Sequence, residues 1–250
     1  MVENVDVTKV LFLDVECVSE YSRFEELPDH FQDLWEHKAR SIFRKGDDPW
    51  EEGELAASYQ DRAAIYAEFG KIMCISVGFI TNATGEPVIR LKSFAGDDEV
   101  QILKDFGDLL EKSYQDTKST FLCGHNIREF DIPYICRRMV KHQMPLPTTL
   151  QIHGKKPWEL EHFLDTMSLW KFGDWKSYTS LKLLAAVLGF PSPKDDIDGS
   201  EVGRVYWEDK DVDRIALYCE KDVLATAQLL LRYKRMPLLT PEQVVHVSQT

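Results

Sequence analysis

Asp14 and Glu16 stand one apolar residue apart in KVLFLDVECVSE, residues 9–20. The run before them, Val10, Leu11, Phe12 and Leu13, is continuously apolar, as in a strand buried on both faces. Strand side chains alternate with a period of two, so the spacing predicts both acids on one side of a sheet. Two further groupings offer oxygen chemistry: Asn126, Phe130 and Asp131 in GHNIREFDIPY, and Tyr218 and Asp222 in YCEKDV. Each is ambiguous alone. Asp131 stands where an acid commonly caps a helix, and a Tyr and an Asp four apart on one helical face could be a hydrogen-bonded core pair. As a set they point elsewhere. Strand ends and helix faces of this kind converge at the carboxyl edge of an α/β sheet, where ligands bind. Carboxylates gathered there repel one another unless cations offset them. Hard oxygen ligands with no His or Cys nearby select Mg²⁺ or Mn²⁺ over zinc. The expected chemistry is that of a divalent metal held by Asp14, Glu16, Asp131 and Asp222.

The elements that must carry these residues follow from periodicity. GKIMCISVGFI (70–80) and VIRLKSF (88–94) flank a Gly-containing turn and predict an antiparallel hairpin. Residues 96–114 open with acidic cap residues and continue with apolar spacing i, i+3, i+4, a helix. STFLCGHN (119–126) reads as a short buried strand, and IPYICRRMVKH (132–142) as a helix with Pro133 in its first turn. HFLDTMSLW (162–170) reads as a strand; 177–190 and 211–233 are strongly periodic helices. Strands interleaved with helices predict a layered α/β domain over residues 1–235. Residues 22–69 interrupt it with a polar, acidic and helical insertion, since a connection that long is rarely bare loop. Residues 236–250 read as a partly disordered C-terminal tail.

A chain of 250 residues can bury one substantial core. It has no apolar run long enough to span a membrane and no secretory leader pattern. Its five cysteines are odd in number, scattered and without a CxxC pair, which argues for reduced thiols in a cytoplasmic protein. The net charge of −12 would exclude a polyanionic partner if it were spread evenly. It is not: residues 1–116 carry −13 and residues 117–250 carry +1. Arg128, Arg137, Arg138, Lys141, Lys155 and Lys156 face only Glu129 and Asp131, so this stretch reads equally as a phosphate-binding face or an ordinary solvated one.

The motifs DVE, NIREFD and YCEKD resemble the Exo I, Exo II and Exo III motifs of DEDD exonucleases, in the subgroup with tyrosine in the third motif. EFGKIMCISVGFI, LDTMSLWKF, SYTSLKLLAAVLGF, PSPKDDIDGSEV and YCEKDVLATAQLLL extend the likeness. Nearly the whole chain resembles a bacterial family of free-standing predicted 3′→5′ exonucleases related to the proofreading domain of family-B DNA polymerases. The resemblance implies a ribonuclease H-like α/β/α fold around a five-stranded mixed sheet, with the helical insertion after the first strand. It implies two Mg²⁺ or Mn²⁺ ions, bridged by Asp14, with Glu16 and Asp222 on the water-activating ion and Asp131 supporting the other. Tyr218 would orient the attacking water. The substrate implied is DNA with single-stranded or frayed 3′ ends, with RNA as an alternative and a non-catalytic nucleic-acid-binding module as another. Asn126, Phe130 and Cys17 are the expected substrate-binding residues, although Cys17 stands where many relatives have Thr.

Competing motifs fail. Aligned on Gly199, an EF-hand loop needs acids at 194 and 205, where Lys194 and Val205 stand. No phosphate-binding glycine loop occurs. His125 and His153 could serve as general bases, but the resemblance assigns no histidine.

Overall fold

The computed structural model describes residues 2–82, 85–174, 178–192 and 196–247. β1 (Val10–Ser19) lies inside a mixed sheet, antiparallel to β2 (Gly70–Thr81) and parallel to β4 (Phe121–Gly124). β2 forms the expected hairpin with β3 (Val88–Ala95), and β4 pairs in parallel with β5 (Phe163–Asp165). A further strand, β6 (Val244–His246), pairs with Ile89–Leu91 of β3, so among the described residues the sheet has six strands in the order β5-β4-β1-β2-β3-β6 rather than five. Three residues with mixed exposure leave no legible alternation, which is why β6 does not stand out in the sequence.

The period-two expectation for β1 is met on both faces. Leu11, Leu13 and Val15 pack with α3 (Glu99–Ser113) and α4 (Asp131–Lys141) through Leu103, Phe106, Ile132 and Ile135. Val10 and Phe12 pack on the other face with Val223, Ala227 and Leu230 of α8 (Val212–Tyr233). Fully burying such side chains contributes roughly 1.5–3 kcal/mol each. Gly78 permits the close approach of α8, because a Cβ there would lie 2.9 Å from Val223 Cγ1. The remaining described α-helices are α1 (Asp29–Ile42) and α2 (Glu54–Arg62) within 22–69, α5 (Thr166–Lys171), α6 (Leu181–Leu188) and the short α7 (Val202–Arg204). None of the described helices is long and apolar enough to cross a membrane, and all five cysteines are free.

The stretch 162–170 is a strand only as far as Asp165 and then turns into α5. Asp165 causes the switch: its carboxylate accepts the Met167 and Ser168 N–H groups and caps the helix. The 177–190 segment contains α6 from Leu181, capped by Ser180; residues 175–177 lie outside the described residues.

Arg138 is not part of a solvated or phosphate-binding face. It is 1% exposed and pairs with Glu99 at 2.5 Å, while donating to the Ala67 carbonyl at 2.8 Å. Burial alone would push the Glu99 carboxyl up, but Arg138, the Ile72 N–H and His142 hold it below the usual carboxylate range. Arg138→Ala should therefore strip a buried carboxylate of its guanidinium partner and cost about 3–5 kcal/mol in urea denaturation. The exposed Arg137 should change stability by less than about 0.5 kcal/mol when replaced by Ala. Because the folded Glu99 value is depressed, its contribution is full above the unfolded carboxylate range and is lost as pH falls through the folded value. The gap between wild type and Arg138→Ala should accordingly narrow in acid.

Candidate active site

At the carboxyl edge of β1 and β4, a cleft of about 450 Å³ is lined by Asp14, Val15, Glu16, Ile65, His125, Asn126, Phe130, Asp131, Tyr178, Tyr218 and Asp222. Three separate elements deliver the acids. β1 projects Asp14 and Glu16 toward α8, continuing the alternation of Val10 and Phe12. α4 begins at Asp131, and α8 presents Tyr218 and Asp222 one turn apart. Asp131 is not a side-chain cap: Phe130 holds the cap position, and the Asp131 carboxylate accepts the backbone N–H of Val15, between the two β1 acids.

Asn126 sits at φ +74°, a conformation in which Asn is among the few non-glycine residues tolerated. Asp165 holds this turn by accepting the N–H groups of Asn126 at 3.1 Å and Arg128 at 3.3 Å. Phe130 is half-buried on the cleft wall, with its ring 5.5 Å from that of Tyr134. Cys17 is the one expected site residue that does not line the cleft. It packs on the α3–α4 side of the sheet, where its thiol meets the Tyr134 hydroxyl.

The acids strain one another. Burial raises the Asp14 carboxyl well above its ordinary value, and the charges of Asp222, Glu16 and Asp131 add to this. Burial pushes Asp131 up to about 7, with Asp165 and Asp222 contributing. The Tyr218 phenol is raised far beyond its usual range by burial, by Glu16, Asp222 and Asp14, and by its hydrogen bond to Asp222. Among the described residues that line the cleft there is no Lys or Arg. Four carboxylates lining one cleft fit a divalent cation.

Cys219, absent from the sequence reading of the site, lies among these groups. Its Sγ and the carboxylate oxygens of Asp14 and Glu16 fall within 4.8 Å of one another. Burial raises the thiol strongly, followed by its contact with Cys74 and the charges of Asp14 and Glu16. The thiol donates to Asp14 Oδ2 at 3.4 Å. Its spacing of three from Asp222 was the available signal. His125 is a structural histidine: Nε2 lies 2.9 Å from the Thr179 carbonyl, so it donates there, and Nδ1 lies 2.9 Å from Thr166 Oγ1. His153 is exposed and outside the cleft. Ile65 and Tyr178 carried no signal, because their approach depends on folding over long sequence separations.

None of the basic residues between 128 and 156 lines the cleft. Arg128 is committed to the Phe163 and Leu160 carbonyls. Lys155 and Lys156 lead into a turn whose Trp158 shares a groove with Val5 and Phe121, at the opposite, amino end of the strands. The basic stretch therefore contributes no cation to the cleft itself.

Residues 65–246, more than half of the chain, match a family described as predicted 3′-5′ exonucleases related to the exonuclease domain of PolB. The match begins after the β1 acids and includes Asn126, Asp131, Tyr218 and Asp222. No curated protein matches the chain. Among solved structures, the fold is similar to that of the family B DNA polymerase from the hyperthermophilic archaeon Pyrobaculum calidifontis, with a TM-score of 0.53 at 16% identity. That similarity covers 90% of this chain and 24% of the polymerase.

Proposed function

Because the chain belongs to the family of predicted 3′-5′ exonucleases related to the exonuclease domain of PolB, we propose that it hydrolyses phosphodiester bonds at single-stranded or frayed 3′ ends of DNA. The products are nucleoside 5′-monophosphates. The observation that carries this reading is the cleft itself: among the described residues, four carboxylates from β1, α4 and α8 line it with two tyrosines and no Lys or Arg. Asp14, Glu16, Asp131 and Asp222 would hold two Mg²⁺ or Mn²⁺ ions, which when bound supply charge stabilisation for an in-line displacement and acidify water.

The chain's own groups divide the remaining work. Burial and neighbouring carboxylates keep the Tyr218 phenol protonated at neutral pH. It therefore serves to orient the attacking water through its hydroxyl and does not act as a base. Asn126 offers an amide beside the reacting nucleotide, and Phe130 an aromatic face on which any base can stack. The domain is read as residues 1–235 with the 22–69 insertion, joined by the 236–250 segment that supplies β6.

The test uses matched single strands of DNA and RNA, labelled at the 3′ or the 5′ end, with Mn²⁺ or with EDTA. Mn²⁺ should support stepwise loss from the 3′ end of DNA, and excess EDTA should abolish it. Cleavage undiminished by EDTA would sink the metal-dependent reading. Faster loss from RNA would assign the same site to an exoribonuclease, and intact strands in every arm would leave a binding module.

A further inference from the structure

The 22–69 insertion closes on its own apolar cluster, in which Leu27, Trp35, Ala39, Tyr59, Ala63 and Phe69 are buried. What it presents to the rest of the molecule is its return turn. The Tyr134 hydroxyl donates to the Ala64 carbonyl at 2.8 Å, and Arg138 Nη1 donates to the Ala67 carbonyl at 2.8 Å. Both donors come from the helix that carries Asp131, and both side chains are about 1% exposed. Gly70 lets the chain pass there, since a Cβ would lie 2.8 Å from the Ala64 carbonyl oxygen and collide with the Tyr134 hydroxyl. The backbone on either side of Ile65 is thus bolted to α4.

Ile65 itself remains 46% exposed, and it faces the acidic cleft. It belongs to none of the buried clusters or the partly buried side chains packed on them. An aliphatic side chain can bind neither a metal nor a phosphate. In a cleft that cuts a polynucleotide, the apolar surface available to it is the face of a base. Resting on the exonuclease reading of this cleft, we propose that Ile65 is a nucleobase-contacting residue. Delivered by the insertion, it packs on the base of the 3′-terminal nucleotide together with Tyr178, which lines the same cleft and is 73% exposed. Ile65 has no hydrogen-bonding group and reads no base identity. It favours unpaired ends, because a base stacked and paired in a duplex hides the face that Ile65 covers.

A chemical double-mutant cycle tests this. Wild type, Ile65→Ala and Ile65→Val are compared on a single strand with an ordinary 3′-terminal nucleotide and on one whose terminal sugar lacks its base. On the ordinary strand, Ile65→Ala should raise KM about tenfold, the size of a part-buried aliphatic contact. Its kcat should stay within about twofold, the signature of lost binding rather than lost chemistry. Ile65→Val should recover most of the loss. On the abasic end the difference between Ile65→Ala and wild type should vanish. An equal loss on both strands, or none on the ordinary one, overturns the proposal while the exonuclease reading stands. A wild-type protein that cleaves neither strand overturns both.

Discussion

Asp222→Asn is expected to yield a folded protein that has lost Mn²⁺ binding and turnover together. The amide keeps the shape of the carboxylate on α8 but removes one of the four charges around the cleft. A cation there would lose an ionic oxygen ligand. Turnover should fall by roughly 10²–10³-fold or more, as when a preorganised charge-stabilising group is removed. Stability should move the other way. Asp222 is the largest charge raising Asp14, and it also raises Asp131, so its neutralisation relieves repulsion among buried acids. In EDTA the variant should therefore match or exceed the wild-type Tm. Adding Mn²⁺ should raise the Tm of wild type, which binds it when folded, and not that of the variant. Calorimetric Mn²⁺ titration with thermal melts in both conditions checks each part. A variant that still binds Mn²⁺ as wild type does would remove Asp222 from the ligand set.

Tyr218→Phe should separate chemistry from metal binding on the same helical face. The ring stays packed with Cys219, Ile215 and Val202 while only the hydroxyl is lost. Metal affinity should survive, because Asp14, Glu16, Asp131 and Asp222 are untouched. Turnover should fall by about 10²-fold, the contribution of a positioned group that handles or orients a proton-bearing water. The lost hydrogen bond to Asp222 should cost about 1 kcal/mol of stability. A purely structural tyrosine would show that stability loss with unaltered turnover per folded molecule. That outcome would return the Tyr218–Asp222 pair to core packing.

Much of the site was legible because its information is local. The D-x-E spacing on a strand and the Y-x-x-x-D spacing on a helix each place two groups on one face whatever else the chain does. The alternation in β1 forecast that Asp14 and Glu16 share one face of the sheet, and apolar periodicity located α3, α4 and α8. What was not legible depends on partners far away in sequence. Arg138 and Arg137 look alike as neighbours in a basic run, yet Glu99 and the Ala67 carbonyl draw one of them into the interior. β6 exists because Ile89–Leu91 offers it an edge.

By itself, then, the sequence determined the chemical inventory of the cleft and the faces of the elements that carry it. A residue type cannot change, and strand and helix periods follow from backbone geometry alone. Only the tertiary structure decided that Cys17 turns to Tyr134 behind the sheet, that the Cys219 thiol lies against Asp14, and that Ile65 faces the acids. It also decided that no cation of the basic stretch reaches them. These outcomes rest on contacts such as Tyr134 to Ala64, 70 residues apart, and Cys219 to Asp14, 205 apart. A side chain's spacing along its own element says nothing about which distant surface will close over it, because that is settled by packing the layers together.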